Sequence, residues 1–145
     1  MSWQSVLVAP GGIGSSVLSG PFPMVVLRHE EPGGGQHWDV LIARSPQQDP
    51  ANAHANGLMG FRVPSPPQKA AVGTSLLMTW TPDHDRSWLT REGEVSGGRG
   101  VAWRVCAGEL EIHRETMAVI TWCDGQQAQW QLHAHDDGPS LCVTG

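Results

Sequence analysis

Tyrosine is absent from this chain, lysine occurs once, at Lys69, and charged residues make up only 16% of the 145 positions. One lysine beside eight arginines, within a formal net charge of −5, excludes the broad cationic surface that coats nucleic-acid backbones. A polyanion could be met only locally, by a few arginines or by a bound metal ion whose charge offsets nearby carboxylates. Cysteine is scarce and unpatterned. Cys106, Cys123 and Cys142 form no Cys-x-x-Cys pair and no zinc-ribbon spacing, which is expected of free thiols in a reducing compartment. The opening MSWQSVLVAP lacks a basic segment and has too short an apolar stretch for a secretory signal, so a cytoplasmic location away from membranes is expected.

Long uninterrupted periodic runs are missing too, because 18 glycines and 11 prolines punctuate the chain, which excludes a helical bundle. Short apolar runs alternate instead with turn clusters, as in an antiparallel β domain. Strands are expected at 24–28, 37–43, 58–63, 75–80, 100–105, 109–114, 117–122, 127–133 and 141–143, the later ones as a meander of hairpins. Residues 45–56 and 64–67 read as loops, and 68–72 is the one weak helix candidate. The fold expected is all-β and mainly antiparallel, a small closed or partly open β-barrel with little helix, since closure removes exposed edges. Gly11-Gly12-Ile13-Gly14 has the look of a nucleotide-binding loop, but Gly20-Pro21-Phe22-Pro23 interrupts the chain before a helix can follow. Residues 1–22 are therefore expected to be a flexible N-terminal arm on a single domain spanning 1–145.

Three residues invite chemistry first. In a strand, positions i and i+2 share a face, so His37 and Asp39 project together while Trp38 points away. His29 ends the preceding apolar run, and Pro32-Gly33-Gly34-Gly35 lets the chain turn back beside it. His29, His37 and Asp39 could converge as a facial ligand set for manganese, iron or zinc, leaving other positions for water and substrate. A competing pair, His133 and His135, runs into a turn at Asp136-Asp137 and reads as solvated. His54 and His113 read as surface residues. Further on, His84 follows the strand at 75–80, in a turn that it could cap or from which it could reach a substrate. The glycines at 97, 98 and 100 mark a tight loop presenting Arg99, suited to phosphate contact and equally to solubility. Among the tryptophans, Trp103, Trp122 and Trp130 are expected to pack in the core, with Trp38 and Trp88 near the site.

These segments together resemble the 3′-phosphoesterase domain of bacterial DNA ligase D and its short stand-alone relatives. The family pattern is a histidine ending an early strand, His-aromatic-Asp, a strand end ending Val-Pro, then Asp-His with an aromatic four residues on, and Glu-Gly before a glycine-rich turn. The counterparts are His29, His37-Trp38-Asp39, Gly60-Phe61-Arg62-Val63-Pro64, Asp83-His84, Trp88 and Glu92-Gly93, covering roughly residues 24–104.

The resemblance implies a barrel-like domain whose groove holds a divalent ion, Mn2+ first with Zn2+ or another transition metal as alternatives, and which trims blocked 3′ ends of DNA or RNA-tipped DNA. It assigns His29, His37 and Asp39 to the metal and His84 to the scissile phosphate. Where the family carries a phosphate-clamping arginine two residues after the aspartate, this chain has Leu41, and where it carries a tyrosine, Trp88. Arg62 or Arg99 is the candidate to supply the missing grip, with Trp88 as a further substrate contact. No ligase or polymerase motif accompanies the pattern, so coupling to strand sealing is expected from a ligase acting in trans. Two alternatives stand beside this reading. One, against an enzyme that acts on those 3′ ends or on a related small phosphodiester, is a non-catalytic metal- or ligand-binding barrel of the same descent. The other, a cupin-like metal oxygenase, lacks its His-x-His pattern around His37.

Overall fold

A computed structural model describes residues 1–7, 20–44 and 57–145 as a mainly antiparallel β structure with little helix. Its strands are β1 (Phe22–Glu30), β2 (Gln36–Ala43), β3 (Leu58–Val63), β4 (Ser75–Leu77), β5 (Thr79–His84), β6 (Gly93–Glu94), β7 (Val101–Ile112), β8 (Met117–Trp122), β9 (Gln127–His135) and β10 (Gly138–Val143). One short helix, α1 (Trp3–Leu7), precedes them, and single 3-10 turns occur at Pro67–Lys69 and Arg86–Leu89. The main sheet runs β4-β10-β9-β8-β7-β1-β2-β3-β5, with β6 added on β7. It curls until its two edges are consecutive in sequence, with Met78 alone between β4 and β5. The result is a partly open barrel. Its corner residue, Met78, is buried and donates its N–H to the Pro139 carbonyl at 2.9 Å.

Strand periodicity explains where the core lies. Along β8, Ala118, Ile120 and Trp122 are buried and their neighbours are not, as for a strand with one covered face. Along β1 and β2 alternation disappears: Met24, Val25, Val26 and Leu27 are all buried, and so are Asp39 through Ala43. Such strands must be covered on both sides. Inside, Phe22, Met24, Val26, Val40, Ile42 and Phe61 join Trp130 and Ile120 in the barrel core. Outside, Val25, Leu27, Leu41, Leu58 and Ala102 form a second cluster closed by Trp88. The segment 85–100 is thus a lid of chain laid over the outer face of β1, β2 and β3, tethered by Arg104, whose side chain donates to the Leu89 carbonyl at 3.0 Å and whose N–H reaches Glu92 at 2.9 Å.

Several expectations change. Residues 1–7 and 20–22 do not belong to a flexible arm: Trp3 is 0% exposed in the barrel core, its indole N–H faces the Trp130 carbonyl at 3.3 Å, and Phe22 opens β1. The strands expected at 100–105 and 109–114 are one, β7, because Cys106, Ala107 and Gly108 continue the ladder to β1. The strand expected at 75–80 bends at Met78 and runs on to His84, so His84 ends a strand and does not sit in a turn. Residues 68–72 form no helix beyond the 3-10 turn at Pro67–Lys69. Trp103 is 40% exposed rather than packed, whereas Trp122 and Trp130 are core residues. His133 and His135 are exposed at the end of β9, with His135 facing Ser140 at 3.0 Å, and the exposed His113 pairs with Glu111 at 3.2 Å. All three cysteines are free. The glycine motif at 11–14, the loop at 45–56 and His54 lie outside the described residues. No helix among the described residues is long and apolar enough to cross a membrane.

Because Trp3 fills core volume that nothing nearby can replace, Trp3→Ala should lower unfolding free energy by about 3–5 kcal/mol. Urea denaturation checks this, and an unchanged midpoint would return residues 1–7 to the status of an arm.

Candidate metal centre

The register of β1 on β2 sets His29 directly opposite His37 and Leu27 opposite Asp39. All three polar side chains therefore leave the sheet on its outer face. The imidazoles meet edge to face with centroids 4.6 Å apart. Asp39 Oδ2 lies 3.5 Å from His29 Nδ1 and 3.3 Å from His37 Nε2. These atoms form the one group among the described residues that could hold a metal ion, all within 4.8 Å of one another. Bonds of about 2.1 Å to one ion place adjacent ligand atoms about 3 Å apart, so small side-chain adjustments would complete the set.

The opposite nitrogen of each ring is already engaged. His29 Nε2 is 2.6 Å from the Arg99 carbonyl, which can only accept, so that nitrogen carries the proton, and in the neutral imidazole Nδ1 carries the lone pair. His37 Nδ1 donates to Glu31 Oε1 at 3.0 Å, and in the neutral imidazole this leaves Nε2 as the acceptor. Two nitrogen lone pairs and a carboxylate oxygen then point at one another. A single proton can relieve one of those contacts, while a metal ion relieves all of them. The donor set fits a divalent ion, and Glu31 and the Arg99 carbonyl orient it from behind, as outer partners do in histidine metal sites.

Two pieces of backbone make those outer bonds possible. The turn after β1 closes with Glu31 N–H on the Gly35 carbonyl at 2.7 Å, which brings the Glu31 carboxylate over His37. The loop before β7 passes so close to β1 that a Cβ on Gly100 would sit 1.9 Å from the Glu30 carbonyl oxygen, at a φ of +101°. Only glycine permits that approach. It is this contact that presses the neighbouring Arg99 carbonyl onto His29.

A cleft of about 460 Å³ opens beside the triad, between the outer face of the sheet and the segment 82–99. His29, Asp39, Arg62, His84, Trp88 and Arg99 all line it, whereas His37 reaches Asp39 from a neighbouring depression that it shares with Glu31. Arg62 is registered opposite Asp39 and its Nε faces Asp39 Oδ1 at 3.4 Å. His84 pairs with Leu58 across a bulge, over Gly60, where a side chain would strike Thr81 Oγ1 at 2.5 Å and Leu41 at 2.9 Å. Burial pushes the His84 imidazole below its ordinary pKa against the opposing pull of the Asp39 carboxylate, which favours its neutral form. Asp83 is turned to Arg44, which grips both its oxygens at 2.7 and 3.2 Å.

One expected neighbour has another place. Trp38 packs against the barrel core on the opposite side of β2. Trp88 reaches the cleft wall but is only 8% exposed, and the Arg91 guanidinium lies over its ring at 4.2 Å. Leu41 is fully buried in the outer cluster beneath the cleft. Sequence reasoning missed Glu31, the Arg99 carbonyl and Arg91. Arg91 left a faint signal, three residues past Trp88, whereas a backbone carbonyl leaves none. Comparison of the chain with protein-family models, with curated proteins and with solved structures finds no match.

Gly100→Ala should therefore cost metal affinity about ten- to hundredfold by withdrawing the Arg99 carbonyl from His29. Gly98→Ala, at a φ of +67° with nothing within 4 Å, should cost only local strain. Calorimetric titration with Mn2+ separates the two, and equal affinities would refute the supporting role of the carbonyl.

Proposed function

We propose that this chain is a metal-dependent phosphoesterase that clears blocked 3′ ends of nucleic acid or cleaves a related phosphodiester. One observation supports this above others: His29 and Asp39 of the acceptor triad, the His84 imidazole and arginines line a single cleft, with His37 meeting Asp39 from the depression beside it. His29 through Nδ1, His37 through Nε2 and Asp39 through Oδ2 would hold a divalent ion, manganese by this reading with zinc next. Such an ion supplies Lewis-acid charge for a phosphate oxygen and lowers the pKa of a bound water. Arg62 holds the second Asp39 oxygen and extends the positive wall of the cleft. His84, kept neutral by burial, offers an N–H to a phosphate oxygen and carries no charge of its own. The low charge of the chain as a whole suits an enzyme that grips one terminal group and leaves the rest of a nucleic acid in solvent.

A second reading has its own observation. Leu41 stands where the resembled domain has its phosphate-clamping arginine, and it is fully buried, so it offers no contact to a ligand. That favours a non-catalytic barrel keeping the metal site as a binding device.

Mn2+-dependent release of phosphate or a terminal ribonucleoside from a 3′-labelled primer-template decides between them. Wild type should show release and a metal-induced rise in melting temperature. His37→Ala should lose both, whereas His84→Ala should keep the thermal shift and lose about a hundredfold or more in rate. A thermal shift without release selects the second reading, and the absence of both removes the metal site altogether.

A further inference from the structure

The cleft holds three guanidiniums, and their engagements differ. Arg62 Nε faces Asp39 Oδ1, so this residue is tied to the ligand triad. Arg99 donates through Nε to the Ser96 carbonyl at 2.7 Å and through Nη2 to Ser96 Oγ at 3.2 Å, which folds it back on its own loop. Arg91 is exposed, and among the described residues its guanidinium makes one long hydrogen bond, to the Glu94 carbonyl at 3.5 Å. It is nevertheless held in position. Its Cζ sits 4.2 Å above the Trp88 ring, and that ring is fixed in the outer core cluster against Leu41 and Leu27. A guanidinium resting on an indole keeps its N–H edges available, because the ring binds its flat face.

Charge balance favours an occupant for those edges. Three aspartates line the cleft beside the three arginines. Asp83 is already neutralised by Arg44, and Asp85 accepts from the Ser87 N–H at 2.8 Å in capping the turn at Arg86–Leu89. With a divalent ion on the triad the cleft carries surplus positive charge, which suits a doubly charged anion.

We infer that Arg91, carried on Trp88, is the anion-gripping residue of this cleft and that its ligand is a terminal phosphate group. The inference rests on the phosphoesterase reading for its choice of anion. It also redefines Trp88: the indole positions a guanidinium and is not a platform for a base. The strand position held by Leu41 supports that indole from below, so the charge has its origin in the turn and not in the sheet.

The test is calorimetric titration of inorganic phosphate into the Mn2+-loaded protein. Arg91→Ala should bind phosphate about ten- to hundredfold more weakly, with Mn2+ affinity and melting temperature unchanged. Arg91→Lys should fall between, having the charge without the fork. Unchanged phosphate affinity in Arg91→Ala overturns the inference, and so does absence of phosphate binding by wild type. Loss of Mn2+ binding or folding in that variant overturns it too, since Arg91 would then be structural. Turnover of a 3′-phosphorylated oligonucleotide separates the two proposals. Phosphate binding that depends on Arg91 without turnover leaves the inference standing and removes the enzyme reading. Turnover with an unchanged KM in Arg91→Ala does the reverse.

Discussion

The pairing of β1 with β2 is the constraint from which both the core and the site descend. Side chains alternate along a strand, so a slip of one residue would exchange the two faces of either partner. Such a slip would bury His37 and Asp39 inside the barrel and turn Val40 and Ile42 out toward the cleft. The apolar residues therefore hold the polar ones in place. Val26 and Val40 are paired across the ladder on the inner side, three positions along from the His29 and His37 pair at the strand ends that meet the turn. Burying the first set fixes where the second emerges, and the histidines need no stabilising energy of their own to converge.

Convergence alone would leave three acceptors facing one another. What turns the arrangement into a ligand set is the occupation of the outer nitrogens by Glu31 and the Arg99 carbonyl. Both partners come from turns that depend on glycine, the first through the positive φ of Gly34 and the second through the close approach of Gly100 to Glu30. The site is thus a sheet feature whose chemistry is set by its loops. The lid segment that closes the cleft is anchored through Trp88 and Arg104, one by packing and one by hydrogen bonds.

Much of this was legible in the chain, and the limits have physical causes. Alternation and turn residues marked nearly all the strands, and the i, i+2 spacing of His37 and Asp39 placed them on one face. The His29 position followed from the glycine-rich turn. Three features were hidden because they depend on distant partners. Trp3 looks like part of a flexible N-terminal arm until the barrel offers it a place beside Trp130. Cys106, Ala107 and Gly108 are weak strand formers, and it is the β1 ladder that draws them into one long β7. The bend at Met78 reflects closure, since one continuous segment must serve both edges of the sheet. Arg91 escaped notice for a different reason: a solvated arginine and a ligand-gripping one look alike until the ring beneath it is located.

Leu41 ties these observations together. A charged side chain at that position would enter the outer cluster among Val25, Leu27, Leu58 and Trp88, where a desolvated guanidinium without a fixed counter-charge costs several kcal/mol. Leucine there instead contributes to the packing that seats Trp88, and Trp88 in turn seats Arg91 at the solvent edge, where its charge remains hydrated. Apolar burial in the floor and cationic recognition at the rim are in this way parts of one arrangement. The residue that most weakens a resemblance based on strand positions is the same residue that supports a guanidinium on the turn above. Whether a cleft of this kind acts on phosphate is therefore a question about the rim of the barrel, and the sheet contributes by keeping that rim still.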